Sequence, residues 1–367
     1  MNRLFVYLKN FDWILFSATI LLISFGLAEI YSIALGNDTI GLVNFKKQLA
    51  FAFLGVALIF IISFLDFLNF RSFSVYLYIF GVVMLVSVLL FGKTVRGTTG
   101  WFDFGGISMQ PVEFIKIILI VFLARYYSGV SVKLNPFRHL VLSGLGTVVF
   151  IALVLLQPDF GSALLLFALW SGMVFVSGIP KKYFVVIAGV IFLTFLSGWF
   201  VFFEDYQKER LMTFLNPTAN SLDEGYNITQ AIIAVGSGGI AGRGIGFGSQ
   251  SQLKFLPESQ NDFIFAVVAE ELGFLGVMLI ILFFAVIFYR LIRAARLINN
   301  DFAVYFLLGT CTLLFIEMFI NIGMNIGILP VVGISLPFLS YGGSAIVASL
   351  ILIGICESII IRSKFKY

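Results

Sequence analysis

Ten apolar runs, each long enough to cross the hydrocarbon of a bilayer, fall near residues 12–34, 48–66, 73–91, 110–126, 139–157, 160–178, 183–203, 262–289, 302–322 and 336–361. A helical span needs roughly 17–25 residues. In lipid every backbone donor and acceptor must be satisfied within the segment, so each run is predicted to be an α-helix. The run at 110–126 carries Glu113 and Lys116, and only Gln157-Pro158-Asp159 separates the fifth run from the sixth. With 60% hydrophobic and 11% charged residues, the chain has too little polar surface to cover a soluble globule of its length. The expected fold class is all-α: a polytopic integral membrane protein of about ten transmembrane helices, with residues 1–367 as a single domain.

The cations set the orientation. With a cytoplasmic N-terminus, the inside ends and loops hold Arg3, Lys9, Arg71, Arg125, Lys133, Arg138, Lys181, Lys182, Arg290, Arg293, Arg296, Arg362, Lys364 and Lys366. The outside holds the smaller set Lys46, Lys47, Lys93, Arg96, Lys208, Arg210, Arg243 and Lys254, much of it in one long loop, where charge bears least on topology. Both termini are therefore expected in the cytoplasm. The formal charge of +4 reads as a topology signal, and no nucleic-acid partner is expected. Arg3 and Lys9 before an apolar stretch resemble the start of a signal peptide, but the stretch is too long and lacks a cleavage site, so it is expected to stay as the first helix. Cys311 and Cys356 lie inside runs and read as packing residues. His139, at the start of the fifth run, reads as interfacial, and no His/Cys metal-ligand cluster is visible.

Residues 204–261 form a long outer loop between the seventh and eighth runs, and a loop of that length is usually functional or disordered. Its glycine-rich stretch GSGGIAGRGIGFG at 236–248 is no dinucleotide fingerprint, since no βαβ unit surrounds it. Directly after it, FLPESQNDFIFAVVAEELGF at 255–274 places Glu258 and Asp262 at the outer mouth of the eighth run, with Glu270 and Glu271 roughly 12–14 Å further in. An ionised carboxylate inside a membrane is costly and by default a functional candidate. Glu113 and Lys116, three apart, can face one another as an ion pair, whose plain role is to hold the bundle. Asp159 falls on the same side as Asp262, as do Lys46, Lys47, Arg96, Trp101 and Arg210. That collection is either a solvated rim with anchoring residues or the wall of a cavity.

Four segments carry a resemblance: RGTTGWFDFGGISMQPVEFIKI at 96–117, QPDFGSA at 157–163, AIIAVGSGGIAGRGIGFGSQSQLKFLPESQNDFIFAVVAEELGFLG at 231–276 and NIGMNIGILPVVGISLPFLSYGGS at 321–344. Together they resemble the signature regions of the SEDS family (shape, elongation, division and sporulation) through nearly the whole chain. GSQSQLKFLPES, GISLPFLSYGGS and the lack of a long N-terminal extension look most like RodA, the family's elongation branch. The resemblance implies a peptidoglycan glycosyltransferase that polymerises lipid II on the outer face of the bacterial cytoplasmic membrane. Asp262 matches the family's required acid, Glu113 and Lys116 its fourth-helix pair, and Asp159 its QPD acid. Gly100, Val112 and Gln260-Asn261 depart from the family's usual Arg, Ser and His-Thr.

Chemistry points the same way. Outside the membrane no nucleotide sugars are supplied, so a glycan polymerase there needs a donor with its own leaving group, such as polyprenyl diphosphate. A carboxylate at the water–lipid boundary can serve as general base, and cations can neutralise the departing diphosphate. Asp262 is the expected base, and Lys116, Arg210, Lys47 and Arg96 are candidate donor or diphosphate contacts, with Trp101 and Glu258 supporting. Glu113 and Asp159 would orient those cations or help hold a divalent cation, Mg or Mn; no organic cofactor is expected. The resemblance implies a class B penicillin-binding protein as crosslinking partner besides lipid II and membrane lipids. Gly309 and Ala303 on the ninth run, near the Phe-rich eighth, are the expected docking surface, because small residues permit close helix contact. The main alternative is a lipid-linked sugar transporter, a lipid II flippase, with the intramembrane charges as its path; a noncatalytic scaffold would leave the outer charges without a purpose.

Overall fold

The structure, a computed structural model, describes residues 3–35, 39–95, 97–103, 105–106, 108–129, 135–180, 182–183, 185–186, 188–189, 208, 212 and 224–364. A short helix α1 (Arg3–Asn10) precedes α2 (Trp13–Leu35), whose first turn is closed by Asp12 accepting the Leu15 N–H at 3.1 Å. There follow α3 (Thr39–Phe64), α4 (Phe67–Ser72) capped by Asp66, and α5 (Ser74–Phe91). Next come α6 (Pro111–Ser128) and α7 (Pro136–Leu155), both with proline in the first turn, where its missing N–H costs nothing. Asp159 caps α8 (Phe160–Val176). In the described part of the long loop are α9 (Glu224–Ser237) and the single turn α10 (Ser249–Gln252). The chain closes with α11 (Ile264–Leu297), α12 (Asp301–Asn325) and α13 (Gly343–Lys364).

Among the described residues seven helices are long and apolar enough to cross a membrane: α2, α3, α5, α7, α11, α12 and α13. The apolar helix α8 is shorter, and α6 coincides with the run that carries Glu113 and Lys116. The run expected at 183–203 lies almost wholly outside the described residues. A three-stranded antiparallel sheet was not expected in an all-α chain. Its strands are β1 (Lys93–Val95), β2 (Thr98–Asp103) and β3 (Ser108–Met109), in the order β1-β2-β3, between α5 and α6.

Helix α13 is the axis of the bundle: 83% of its apolar window is buried, against 22% for α5, which presents its large side chains outward. Gly354 of α13 lets it approach Ile59 of α3 at backbone distance. At one end of the bundle Lys364 reaches the Asn10 carbonyl (2.8 Å), and Ser358 the Leu65 carbonyl (2.6 Å). At the other, Gln48 bonds Ser340 and Gly342 (both 3.1 Å), and the Gln110 N–H meets Ser344 (3.4 Å). The helices alternate between these ends, which places the sheet, Asp159 and Asp262 together, opposite the first and last described residues.

The eighth run departs from its expected form. As one straight rod, α11 would be roughly 51 Å long at 1.5 Å per residue, well beyond the hydrocarbon. It is broken instead at Gly273, which takes φ 65° and ψ −163°. The glycine-rich stretch fills the break. Phe274 and Leu275 N–H groups donate to Gly239 and Ile240 carbonyls (2.9 and 3.1 Å), and Arg243 and Gly244 N–H groups donate to Glu270 and Glu271 carbonyls (3.0 and 2.9 Å). Irregular backbone at membrane depth is tolerated where protein satisfies its polar groups. Glu270 and Glu271 lie about two turns down α11, just before the break. Glu270 accepts the Gln250 and Ser251 N–H groups (2.9 and 3.2 Å), and Glu271 accepts from Ser32 of α2 and the Gly246 N–H (2.6 and 3.1 Å). Both carboxylates hold the 246–251 loop against the bundle.

A Cβ on Gly273 would fall 2.2 Å from the Gly242 nitrogen. Gly273→Ala is therefore expected to cost more than the 1–3 kcal/mol, roughly, of backbone strain alone, lowering the unfolding temperature in detergent markedly. An unchanged melting curve would contradict the close packing of the glycine stretch on α11.

Gly309 and Ala303 correct an expectation. Ala303 is fully buried, and a Cβ on Gly309 would meet Met173 of α8 at 2.7 Å and Ile120 of α6 at 2.9 Å. Both residues pack against helices of the same chain, so they are not a docking surface. Gly309→Leu is expected to overpack the core by about 1–3 kcal/mol, lowering thermal stability.

Candidate active site

Asp262 sits half-buried in the turn that leads into α11, and its main chain is fixed with unusual thoroughness. Its carbonyl accepts from Asn321 Nδ2 (3.0 Å) and Asn325 Nδ2 (2.9 Å), both on α12. Asn321 Nδ2 also donates to the Ile334 carbonyl (2.8 Å), and Asn325 Oδ1 accepts the Ala266 N–H (3.1 Å) in the first turn of α11. The two asparagines are fully buried, so these bonds are made in a low dielectric, where a lost partner costs most. Gly333, at φ 71°, carries the 326–342 loop beside the carboxylate: a Cβ there would stand 3.7 Å from Asp262 Oδ2.

The turn before Asp262 is tied in as well. Glu258 takes a left-handed conformation (φ 52°) and accepts from Asn261 Nδ2 at 2.6 Å. Ser340 Oγ donates to the Asn261 carbonyl (2.7 Å), Tyr341 N–H to the Gln260 carbonyl (2.8 Å), and Asn44 of α3 to Gln260 Oε1 (3.1 Å). The Gln260-Asn261 pair is thus built into this chain's own hydrogen-bond network. Left-handed conformations of ordinary residues persist only where the surroundings impose them, and they gather at functional sites.

Deeper on the same side, the expected ion pair is present and larger than expected. The Lys116 ammonium lies 2.6 Å from Glu113 and 2.6 Å from Glu317 of α12, with all three side chains nearly buried. Glu317, Asn321 and Asn325 are spaced four apart, so they share one face of α12. That face is a polar rail from the lysine to the Asp262 backbone. The ammonium is engaged on both sides, and a diphosphate would have to displace a carboxylate to reach it.

Asp159 belongs to a neighbouring cluster. Its carboxylate caps α8 through the Ser162 N–H (3.0 Å), accepts the Ser162 hydroxyl (2.7 Å) and accepts Gln110 Nε2 (3.3 Å). The Gln157 carbonyl accepts the Thr99 N–H of β2 (3.2 Å), docking the QPD turn on the strand that bears Trp101. Lys47 Nζ donates to the Gly106 carbonyl (2.7 Å) at the far edge of the sheet. On the same sheet Lys93 and Asp103 pair at 2.8 Å, which raises the lysine pKa and lowers that of the carboxyl through their hydrogen bond. Arg96 and Arg210 lie outside the described residues.

The expected divalent-cation site at Glu113 and Asp159 is not assembled by these residues: Glu113 is engaged by Lys116, and Asp159 by Ser162 and Gln110. No group of three or more His, Cys, Asp or Glu side chains among the described residues could hold a metal ion. His139 bonds Tyr126 through Nδ1 (2.9 Å), as an interfacial residue of α7 would.

Sequence reasoning missed Glu317 and its two asparagines. The signal was available, since the test that singled out Glu113, an acid inside an apolar run, applies equally to Glu317.

Comparison with known proteins yields concordant matches. Residues 12–364 match the FtsW/RodA/SpoVE profile, described as cell cycle protein. The chain is 37% identical to stage V sporulation protein E of Bacillus subtilis, over 96% of its own length and 98% of the relative's. It is 38% identical to peptidoglycan glycosyltransferase MrdB of Escherichia coli, over 79% and 78%. Its fold is similar, with a TM-score of 0.80 and 28% identity, to a chain from a structure on the coordination of polymerization and crosslinking by a peptidoglycan synthase complex, covering 97% of this chain and 98% of that one.

Proposed function

The chain belongs to the FtsW/RodA/SpoVE family, and from that premise we propose that it polymerises lipid II into linear glycan strands on the outer face of the bacterial cytoplasmic membrane, with Asp262 as general base. Its activity is that of a peptidoglycan glycosyltransferase, as named for MrdB. The observation that carries the assignment of Asp262 is its setting. A half-buried aspartate is held at the mouth of α11 by two buried amides on its main-chain carbonyl, at the bundle end where Asp159, Gln110 and the sheet gather.

In the proposed step Asp262 accepts the proton of an acceptor hydroxyl as that oxygen bonds the donor's anomeric carbon. The bond from that carbon to the diphosphate breaks, and polyprenyl diphosphate leaves with the electron pair. A base works from within hydrogen-bond reach of the proton it takes, so fixing the main chain of Asp262 limits where its carboxylate can be. Lys47, Arg96 and Arg210 are proposed to face the diphosphate, with Trp101 and Glu258 shaping the rim. Lys116, engaged by Glu113 and Glu317, is assigned a positioning role through the α12 rail. No step is given to a divalent cation.

Membership of a cell-shape machinery for elongation rests on the segments GSQSQLKFLPES and GISLPFLSYGGS. The likeness to a chain of a synthase complex that joins polymerization to crosslinking supports a class B penicillin-binding protein as the partner that takes the linear strands. Both termini are proposed to be cytoplasmic, in keeping with Arg71, Arg125, Arg290 and Arg362 at the end opposite Asp262.

Proteoliposomes with fluorescent lipid II separate this reading from transport. Glycan should form without any gain in lipid II exchange between leaflets. Accelerated exchange without glycan would establish a flippase instead.

A further inference from the structure

At the bundle end opposite Asp262 there is a cavity of about 250 Å³ between the start of α2 and the last turns of α11 and α13. Arg290, Arg293 and Lys364 stand on its wall with a single carboxylate, Asp12. Arg290 is held by Asp12 through Nε (2.8 Å) and Nη2 (2.5 Å). That carboxylate is used up locally, since its other oxygen caps α2. The Asp12 N–H donates to Glu357 on the buried side at 3.0 Å. Lys364 gives one hydrogen bond, to the Asn10 carbonyl. Arg293 is exposed and makes no hydrogen bond or ion pair among the described residues. The cavity lining thus carries three cations against one carboxylate, with Glu357 behind it close enough to act on Arg290 and Lys364.

The remaining wall is hydrocarbon apart from Ser363, whose hydroxyl is spent on the Ile360 carbonyl: Ala294, Leu297 and Ile360 line it, and Leu297 is 60% exposed. Trp13, beside Asp12 and 47% exposed, donates its indole N–H to the Leu8 carbonyl. An exposed tryptophan at a helix end marks the headgroup level of a bilayer. Cations above an apolar wall at that depth match an amphiphile with an anionic head. Basic pockets between helices on the cytoplasmic side are where acidic headgroups bind, and the proposed orientation puts this end in that leaflet.

We propose that this cavity binds one anionic phospholipid, its phosphate on Arg293 and Lys364 and the upper part of an acyl chain along Leu297 and Ile360. Such a lipid would bridge the ends of α11 and α13, the broken helix and the axial one. A free phosphate shares the headgroup chemistry but leaves the apolar wall uncovered.

The test is native mass spectrometry of the full chain in detergent with equimolar phosphatidylglycerol and phosphatidylcholine. One phosphatidylglycerol should be retained about thirtyfold in preference, the order expected of two cations, at about 1 kcal/mol each, facing a net anionic headgroup. Arg293→Gln with Lys364→Gln should bring the two lipids to parity. Ala294→Phe, which fills the cavity without altering charge, should remove the bound lipid by itself, so the proposal stays testable if the double variant folds poorly. All variants should retain polymerisation in detergent. Equal retention of both lipids by the unaltered chain, or preference undiminished in both variants, would overturn the proposal. Displacement of the lipid by millimolar inorganic phosphate would overturn it in favour of a phosphate site.

Discussion

Asp262→Asn is expected to abolish glycan polymerisation while leaving folding and membrane insertion intact. The substitution keeps the size of the side chain and most of its hydrogen-bonding capacity. The main-chain carbonyl, which Asn321 and Asn325 grip, is untouched. What is lost is the basic carboxylate, and general-base catalysis contributes roughly 10²–10⁴-fold. The expected result is a fall of that size in kcat with an unchanged melting temperature. Asp262→Glu, which displaces the carboxylate by one methylene while the backbone stays clamped, should recover a small part of the activity. Polymerisation by Asp262→Asn within a few-fold of the unaltered chain would remove Asp262 from the role of base.

Lys116→Met is expected to have the largest effect on stability. It leaves Glu113 and Glu317 facing one another with nothing between them, in a site where all three side chains are nearly buried. Breaking a buried ion pair from one side costs about 3–5 kcal/mol, whereas replacing all its members by neutral groups can be close to neutral. The triple variant Glu113→Gln, Lys116→Met, Glu317→Gln should therefore regain most of the lost stability, a non-additivity that marks groups acting as a unit. Activity should not return with it. If Glu317 sets the rail on which Asp262 rests, the restored triple variant polymerises slowly, with a lower kcat and little change in KM. Full activity in a stable triple variant would reduce the triad to a bundle fastener.

The helical architecture was legible because an apolar run of span length has one structural solution in lipid. Helices α2, α5, α6, α7, α8 and α12 begin and end within three residues of a predicted run, whereas α3, α11 and α13 each miss one end by seven to nine. The break at Gly273 was not legible: hydropathy averages across FAVVAEELGFLG and returns one continuous span. What breaks the helix is a distant stretch, 236–248, that supplies replacement hydrogen bonds. Glu270 and Glu271 lie in the helical segment before the break, where the spacing placed them, and Glu271 meets Ser32 of a neighbouring helix. The small sheet was hidden behind its charges, since Lys93, Arg96 and Trp101 drew attention while the alternating KTV and TTGWFD strands around a Gly97 turn did not.

In the site, Asp262, Glu113 and Lys116 stood out because ionisable groups are rare in apolar surroundings, and the pairing of the latter two followed from their spacing. Glu317 stands out by the same criterion, as do Glu29 and Glu357, both fully buried, yet which helix faces Lys116 is a tertiary fact. Gly309 shows the opposite failure. A small residue signals close packing without saying against what, and here the neighbours are Met173 and Ile120.

The most direct measurement is the product of the purified chain with lipid II alone, resolved by length on a gel. A ladder of linear glycan strands, absent with Asp262→Asn at equal folded protein, is the expected result. Unconsumed lipid II with the unaltered, folded chain, or an identical ladder from Asp262→Asn, would contradict the claim that this site is where glycan is made.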